Sequence, residues 1–188
     1  MIRTQRKIIF HNELYDRLVS LCVDALPEKA YGIIAGIGGN GVGDGWTDQV
    51  GSRGQDGLEG QEGLKEQKGY KVEEIYPLQT NLRPDNEKIN GIFQSYGEFY
   101  CDKDRGFWID KREQFEVLKR IAEKNLKVIA IYHSHRCRLA TPSQVDIDLH
   151  YDSSALSLIV SVVNPEQPEV KAFEIGNNRF QEAEIVIL

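Results

Sequence analysis

The chain alternates between two kinds of hydrophobic spacing. After Asn12, Leu14, Leu18, Leu21 and Ala25 recur at helical intervals, which predicts an amphipathic helix capped by Asn12 and ended by Pro27. A short apolar run closing on Ile33, Ile34, Ala35 and Gly36 follows, with Glu28 at its start, and reads as a central strand. Asp110 precedes a second helix over residues 111–124, whose expected buried face is Phe115, Leu118, Ile121 and Ala122. Residues 128–132 then read as a buried strand. Residues 156–163, 170–175 and 180–188 read as three more, separated by turn chemistry at VNPEQPE and GNN. Helices and strands in this order predict an α/β fold, a single domain over residues 1–188 with a curved, mixed sheet packed between helices.

Two stretches break the pattern. Residues 38–69 hold 11 of the chain's 17 glycines, and between positions 51 and 63 glycine falls at every third place. Collagen uses that period, but the segment has no proline, and so few apolar side chains cannot offset the entropy of ordering so many glycines. It is expected to be a flexible insertion. Residues 86–105 form a second insertion whose aromatics, Phe93, Tyr96, Phe99 and Tyr100, either cover a substrate or form a satellite patch on the domain.

Composition narrows the function classes. At 188 residues and 40% hydrophobic content the chain can bury one core, and no run of about 18 apolar residues marks a membrane span. The basic start MIRTQRKIIF lacks the apolar region of a signal peptide. The three cysteines, Cys22, Cys101 and Cys137, are odd in number and widely spaced, which fits reduced thiols and a cytoplasmic setting better than a disulfide framework. A net charge of −6 gives no basic patch for nucleic acid.

The candidate chemistry lies in YHSHRCRLATPSQVD, which sets His133, His135, Ser143 and Asp146 at the spacing H-x-H-x7-S-x2-D. Side chains two apart on a strand share a face, so His133 and His135 can converge on one ion while Asp146 returns from the first turn of the next helix. Three ligands of these types leave a fourth position open, as in a catalytic zinc site. Ser143 and Asp146 also fit a helix-capping pair, and capping is compatible with a site because it fixes both residues at its mouth. Cys137, two residues past His135, either reaches the zinc as a thiolate or points away. A serine nucleophile is disfavoured because no G-x-S-x-G elbow surrounds Ser143, and a zinc nucleobase deaminase because its H-x-E and P-C-x-x-C ligands are absent.

At these residues the chain resembles the JAMM (MPN+/JAB) zinc metalloprotease family, whose signature is an early glutamate followed by H-[ST]-H-P-x6-S-x2-D. It looks most like the compact bacterial members that act on ubiquitin-like sulfur-carrier proteins. The resemblance covers PEKAYGIIAG, FWIDKREQFEVLKRIAEKNLKVIAIYHSH and LSLIVSVVNPEQPEVKAFEI. It implies that His133, His135 and Asp146 hold Zn2+, that Glu28 faces the site as general base, and that Ser143 helps stabilise the oxyanion. The zinc would bring the pKa of a water from about 15.7 toward about 7, and hydrolysis would follow the C-terminal Gly-Gly of a ubiquitin-like or sulfur-carrier protein. The other reading from the same resemblance is a non-catalytic MPN-type module that binds a ubiquitin-like partner. The chain departs from the signature at Arg136, where the family has proline, so a more mobile loop from residue 136 to 141 is expected. Arg136 and Arg138 are candidates to pair with the carboxylate of a released amino acid, and an exposed strand edge near the site is a candidate to hold the substrate tail by β-augmentation.

Overall fold

The computed structural model describes residues 6–38 and 69–188. The strands are β1 (Lys7–Phe10), β2 (Tyr31–Gly38), β3 (Tyr70–Pro77), β4 (Lys127–His135), β5 (Leu156–Ser161), β6 (Glu169–Gly176) and β7 (Arg179–Ile187). The helices are α1 (Asn12–Asp24), α2 (Glu87–Gln94), α3 (Lys111–Glu123) and α4 (Gln144–Asp148), with a 3-10 turn at Glu98–Cys101. The expected curved sheet closes into a barrel: the strands run β1-β3-β2-β4-β5-β6-β7 and β7 returns to pair β1. The sheet is mixed as expected, with parallel pairs at β1/β3, β1/β7 and β4/β5 and antiparallel pairs elsewhere. No helix among the described residues is long and apolar enough to cross a membrane.

The sequence reading omitted β1 and β3. Both are short or charged along one face, and β3 reads YKVEEIYP, so neither carries a long apolar run. β1 is nonetheless the strand that closes the barrel, pairing with β7 from Lys7 to Phe10. β2 and β3 form an antiparallel pair that reaches Gly38 opposite Tyr70. The glycine-rich stretch thus connects these two strands, and all of it but its end residues Gly38 and Gly69 lies outside the described residues.

The two faces of the sheet serve different neighbours. Ala30, Ile34, Ala130, Tyr132, Leu158 and Val160 pack with Leu18 and Cys22 of α1. Tyr31, Ile33 and Ala35, which alternate with them along β2, pack against Val117 and Ile121 of α3. The latter contact corrects the expected face of α3. Phe115 is 64% and Leu118 39% exposed, while Val117 and Ile121 are buried, and Glu113, one turn before Val117, accepts exposed hydrogen bonds from the backbone N–H groups of Gln79 and Thr80. Burying two such side chains is worth about 1.5–3 kcal/mol each. Asp110 caps this helix as expected, accepting from the Arg112 backbone N–H. Asn12, by contrast, is the first helical residue of α1, and His11 precedes it without a side-chain cap.

Close backbone approach fixes one glycine. The register of β2 slips between Ala35 and Gly36 against β3, and a Cβ at Gly36 would collide with the carbonyl of Lys71 and the Ile129 side chain. Replacing Gly36 with Ala is expected to destabilise the protein by about 1–3 kcal/mol, the usual cost of overpacking. Urea titration would show this as a lower midpoint with an unchanged slope.

Candidate metal centre and substrate cleft

β4 carries both histidines to the end of the sheet, on the side that faces α3 and the segments packed beside it. Tyr31 pairs directly with His133 across β2/β4, and the Tyr31 ring stacks on Phe107 (centroids 4.5 Å apart), which in turn lies 5.6 Å from the His133 ring. His133 and His135 are both almost fully buried. α4 supplies the third group. Ser143 is its N-cap, and a reciprocal capping box links Ser143 to Asp146, as the capping reading of this pair expects. This box locks Asp146 against the strand ends.

The three side chains meet. The two Nε2 atoms are 3.1 Å apart, His133 Nε2 is 3.2 Å from Asp146 Oδ1, and His135 Nε2 is 3.5 Å from Asp146 Oδ2. Tetrahedral ligands at about 2.0–2.1 Å from a zinc stand about 3.3–3.4 Å from one another, so this triangle has the edge lengths such a site needs. The protonation pattern fits as well. His135 Nδ1 lies 2.9 Å from the Leu139 carbonyl, which can only accept, so Nδ1 carries the proton and the Nε2 lone pair points at its neighbours. Burial pushes the His133 pKa down, partly opposed by the Asp146 carboxylate, and thereby favours the neutral ligand form. Burial alone would raise Asp146, but the two histidines hold its carboxyl well below the usual range and keep it anionic. Among the described residues this is the group of His, Cys, Asp and Glu side chains placed to hold a metal ion.

Ser143 sits at the rim of the triangle. Its Oγ donates to Asp146 Oδ2 at 2.6 Å and accepts from the Tyr100 hydroxyl at 3.1 Å. Tyr100 comes from the 3-10 turn of the second insertion, and packs with Ile89, Phe93 and Val145. The segment 86–105 is thus tied to the site through a hydrogen bond to Ser143. Its aromatic residues were visible in the sequence, but nothing there singled out the Tyr100 hydroxyl.

Glu28 does not face the triangle. It is exposed and lines a neighbouring recess beside Leu78, Gln79 and Asp104, whereas the sequence predicts it at a strand end facing the site. The residue that enters the cleft is Lys29. Ala30 pairs reciprocally with Ser134 (Ser134 N–H to Ala30 O 2.8 Å, Ala30 N–H to Ser134 Oγ 2.9 Å), which lays Lys29 along the cleft just before β2, while Glu28 stays in the preceding turn, its N–H bonded to the Ala25 carbonyl at 2.7 Å. Burial pushes the Lys29 ammonium down to about 8, with the Asp146 carboxylate acting in the opposite direction.

The loop after His135 is pinned, contrary to the mobility expected from the missing proline. The Arg136 guanidinium donates to the Pro27 carbonyl and, at 2.8 Å, to that of Asp104. Arg138 lies over the Phe99 ring at 4.0 Å, and its carbonyl accepts from Ser161 Oγ at 2.7 Å. Cys137 is exposed and stands outside the ligand triangle, its Sγ 2.5 Å from Arg105 Nη1. The expected strand edge is also absent here, because β4 pairs both β2 and β5, and β5 pairs both β4 and β6. A cleft of about 320 Å³ remains, with the histidines and Asp146 in its wall and Phe93, Phe99, Tyr100, Phe107 and Trp108 along it.

The triangle predicts one tightly held zinc per chain. His135→Ala or Asp146→Ala should lower zinc occupancy severely, whereas Glu28→Gln should leave it unchanged. Elemental analysis of the purified variants after dialysis would check both outcomes.

Residues 11–176 match the family described as prokaryotic homologs of the JAB domain. The chain is 26% identical over 80 residues to the CysO-cysteine peptidases of Mycobacterium tuberculosis (strain ATCC 25618 / H37Rv) and Mycobacterium bovis, an alignment covering 43% of this chain and 55% of each relative. The chain therefore spans about half the length of the curated relatives it matches. Two solution structures share the fold: protein DSY2949 from Desulfitobacterium hafniense (TM-score 0.63, 24% identity, 96% of this chain and 92% of that one) and a protein from Salinibacter ruber (TM-score 0.54, 18% identity, 95% and 90%). With the barrel, the helix-borne aspartate and the paired histidines in place, the family match decides the matter: this chain belongs to the prokaryotic homologs of the JAB domain.

Proposed function

We propose that this chain is a zinc-dependent peptidase of the JAMM type, acting on the C-terminal tail of a ubiquitin-like or sulfur-carrier protein just after Gly-Gly. The carrying observation is the convergence of His133, His135 and Asp146 in the wall of a cleft, at separations that suit one tetrahedral ion. Similarity to proteins named CysO-cysteine peptidase supports the peptidase reading and fits a sulfur-carrier substrate. A bound zinc would supply an acidified water and would polarise the scissile carbonyl.

The side chains around it have separable tasks. Hydrolysis adds water across the amide, leaving a carboxylate on the carrier and a free amine on the departing residue. The Ser143 hydroxyl stands beside the triangle, and with Tyr100 donating into its oxygen its own proton can turn from Asp146 to a developing oxyanion. The aromatic walls suit a narrow, extended tail, and glycine lets such a tail's backbone approach closely. Phe99, Leu139 and Tyr151 are 37%, 71% and 82% exposed, and Phe99 and Tyr151 edge the cleft, which provides an apolar rim for a folded carrier.

One observation favours the second reading, a module that holds the tail without cleaving it. A hydrolase of this kind needs a proton acceptor beside the water, and the described residues bring to the cleft only two carboxylates: Asp146, which is committed to the triangle, and the exposed Asp152. Lys29 occupies the side from which a carboxylate would serve.

A carrier or peptide ending in Gly-Gly-X decides between the two. Under the peptidase reading the zinc-loaded protein releases X, Gly→Ala at the cleavage position abolishes release, and Ser143→Ala lowers kcat by about 10²–10³. Tethered binding without release establishes the second reading. Chromatography of released X alongside metal analysis reads all of these.

A further inference from the structure

The charge of the cleft opposes the charge of the chain. The chain carries a net −6, yet the cleft is bordered by Lys29, Arg105, Lys111, Arg136 and Arg138 against the two aspartates. Most of these cations are already occupied or remote. Arg136 donates to the carbonyls of Pro27 and Asp104, and Arg105 pairs with Asp102 at 3.1 Å and with Cys137. Arg138 is spread over the Phe99 ring, and Lys111 is exposed at the start of α3.

Lys29 is placed differently. It is half-buried, lines the cleft with His133, and its charge is felt at both His133 and Asp146. Among the described residues it makes no hydrogen bond and no ion pair within 4 Å. An ammonium kept in such a place without a partner is costly, and an anion arriving with the ligand removes that cost. The tail of the proposed substrate offers one of two things just beyond the Gly-Gly bond. A single C-terminal residue puts its α-carboxylate one Cα away from the scissile nitrogen. A conjugated lysine puts four methylenes and no anion there.

Building on the tail-binding reading above, we propose that Lys29 docks a free α-carboxylate, so that the cleft selects carriers ending in Gly-Gly plus one free residue over isopeptide-linked conjugates. Lys29 then sets specificity, and the two arginines suggested by the sequence serve the loop that frames the cleft.

The test uses the zinc-loaded full chain and a labelled peptide ending in Gly-Gly-Ala, made both as the free acid and as the C-terminal amide. Binding is read by fluorescence anisotropy at early times and cleavage by chromatography of the same samples. The free acid should bind about tenfold or more tightly than the amide, as a charge-assisted contact implies. Lys29→Met should erase that gap, Lys29→Arg should keep it, Arg138→Gln should leave it intact, and zinc content should not change in any of them. Equal binding of acid and amide by the unaltered protein, or a gap that survives Lys29→Met, would overturn the assignment; cleavage of both peptides in that case would leave the peptidase reading standing. Neither binding nor cleavage of either peptide would overturn the carboxylate dock and the tail-binding reading together.

Discussion

A two-way link between Ala30 and Ser134 governs the site. The Ser134 backbone donates to the Ala30 carbonyl and the Ser134 hydroxyl accepts from the Ala30 N–H, both within 2.9 Å and both buried. Ser134 lies between the two histidines, so this link fixes the approach of the α1–β2 connection to the very residues that would hold the metal. Fixing Ala30 also fixes Lys29 beside it at the cleft, while Glu28 remains in the turn that closes on Ala25. One pair of hydrogen bonds thereby sets the sign of the charge that faces the histidines.

The same register explains what was legible in the sequence. The spacing of His133, His135 and Asp146 carries its own geometry: two residues on a strand share a face, and a capping box fixes the aspartate on the first turn of α4. No long-range information is needed to see it. The position of Glu28 is of another kind. It depends on how a loop 104 residues away in sequence lies against β4, and a shift of one residue exchanges a carboxylate for an ammonium. Lys29 stood beside Glu28 all along, but only the pairing of Tyr31 with His133 in the fold brings one of the two to the histidines.

The fold divides along a similar line. Buried runs such as LSLIVS declare themselves as strands, and Asp110 declares the start of α3. β1 and β3 remained hidden because their charged side chains, Lys7, Lys71, Glu73 and Glu74, form ion pairs on the outside of the barrel and dilute the apolar signal. Closure of the barrel depends on those two strands. It follows that the exposed strand edge near the site, and tail capture along it, were expectations from an incomplete strand set. The face of α3 has a related origin: Glu113, one turn before the buried Val117, accepts from two backbone N–H groups that only the folded chain brings near.

Arg136 shows how a departure from a motif can preserve the role of the residue it replaces. Proline after the second histidine would stiffen the loop through its ring. Arg136 stiffens it from outside, by donating to the carbonyls of Pro27 on one side and Asp104 on the other. Those two carbonyls belong to the α1–β2 connection and to the end of the second insertion, the segments that carry Lys29 and Tyr100. A proline would hold the loop but leave these segments unlinked to it. The arginine therefore couples three elements that border the cleft: the loop after His135, the chain that delivers Lys29, and the segment whose tyrosine orients Ser143. In this protein the geometry of the cleft depends on that coupling as well as on the capping box that holds Asp146 against His133 and His135.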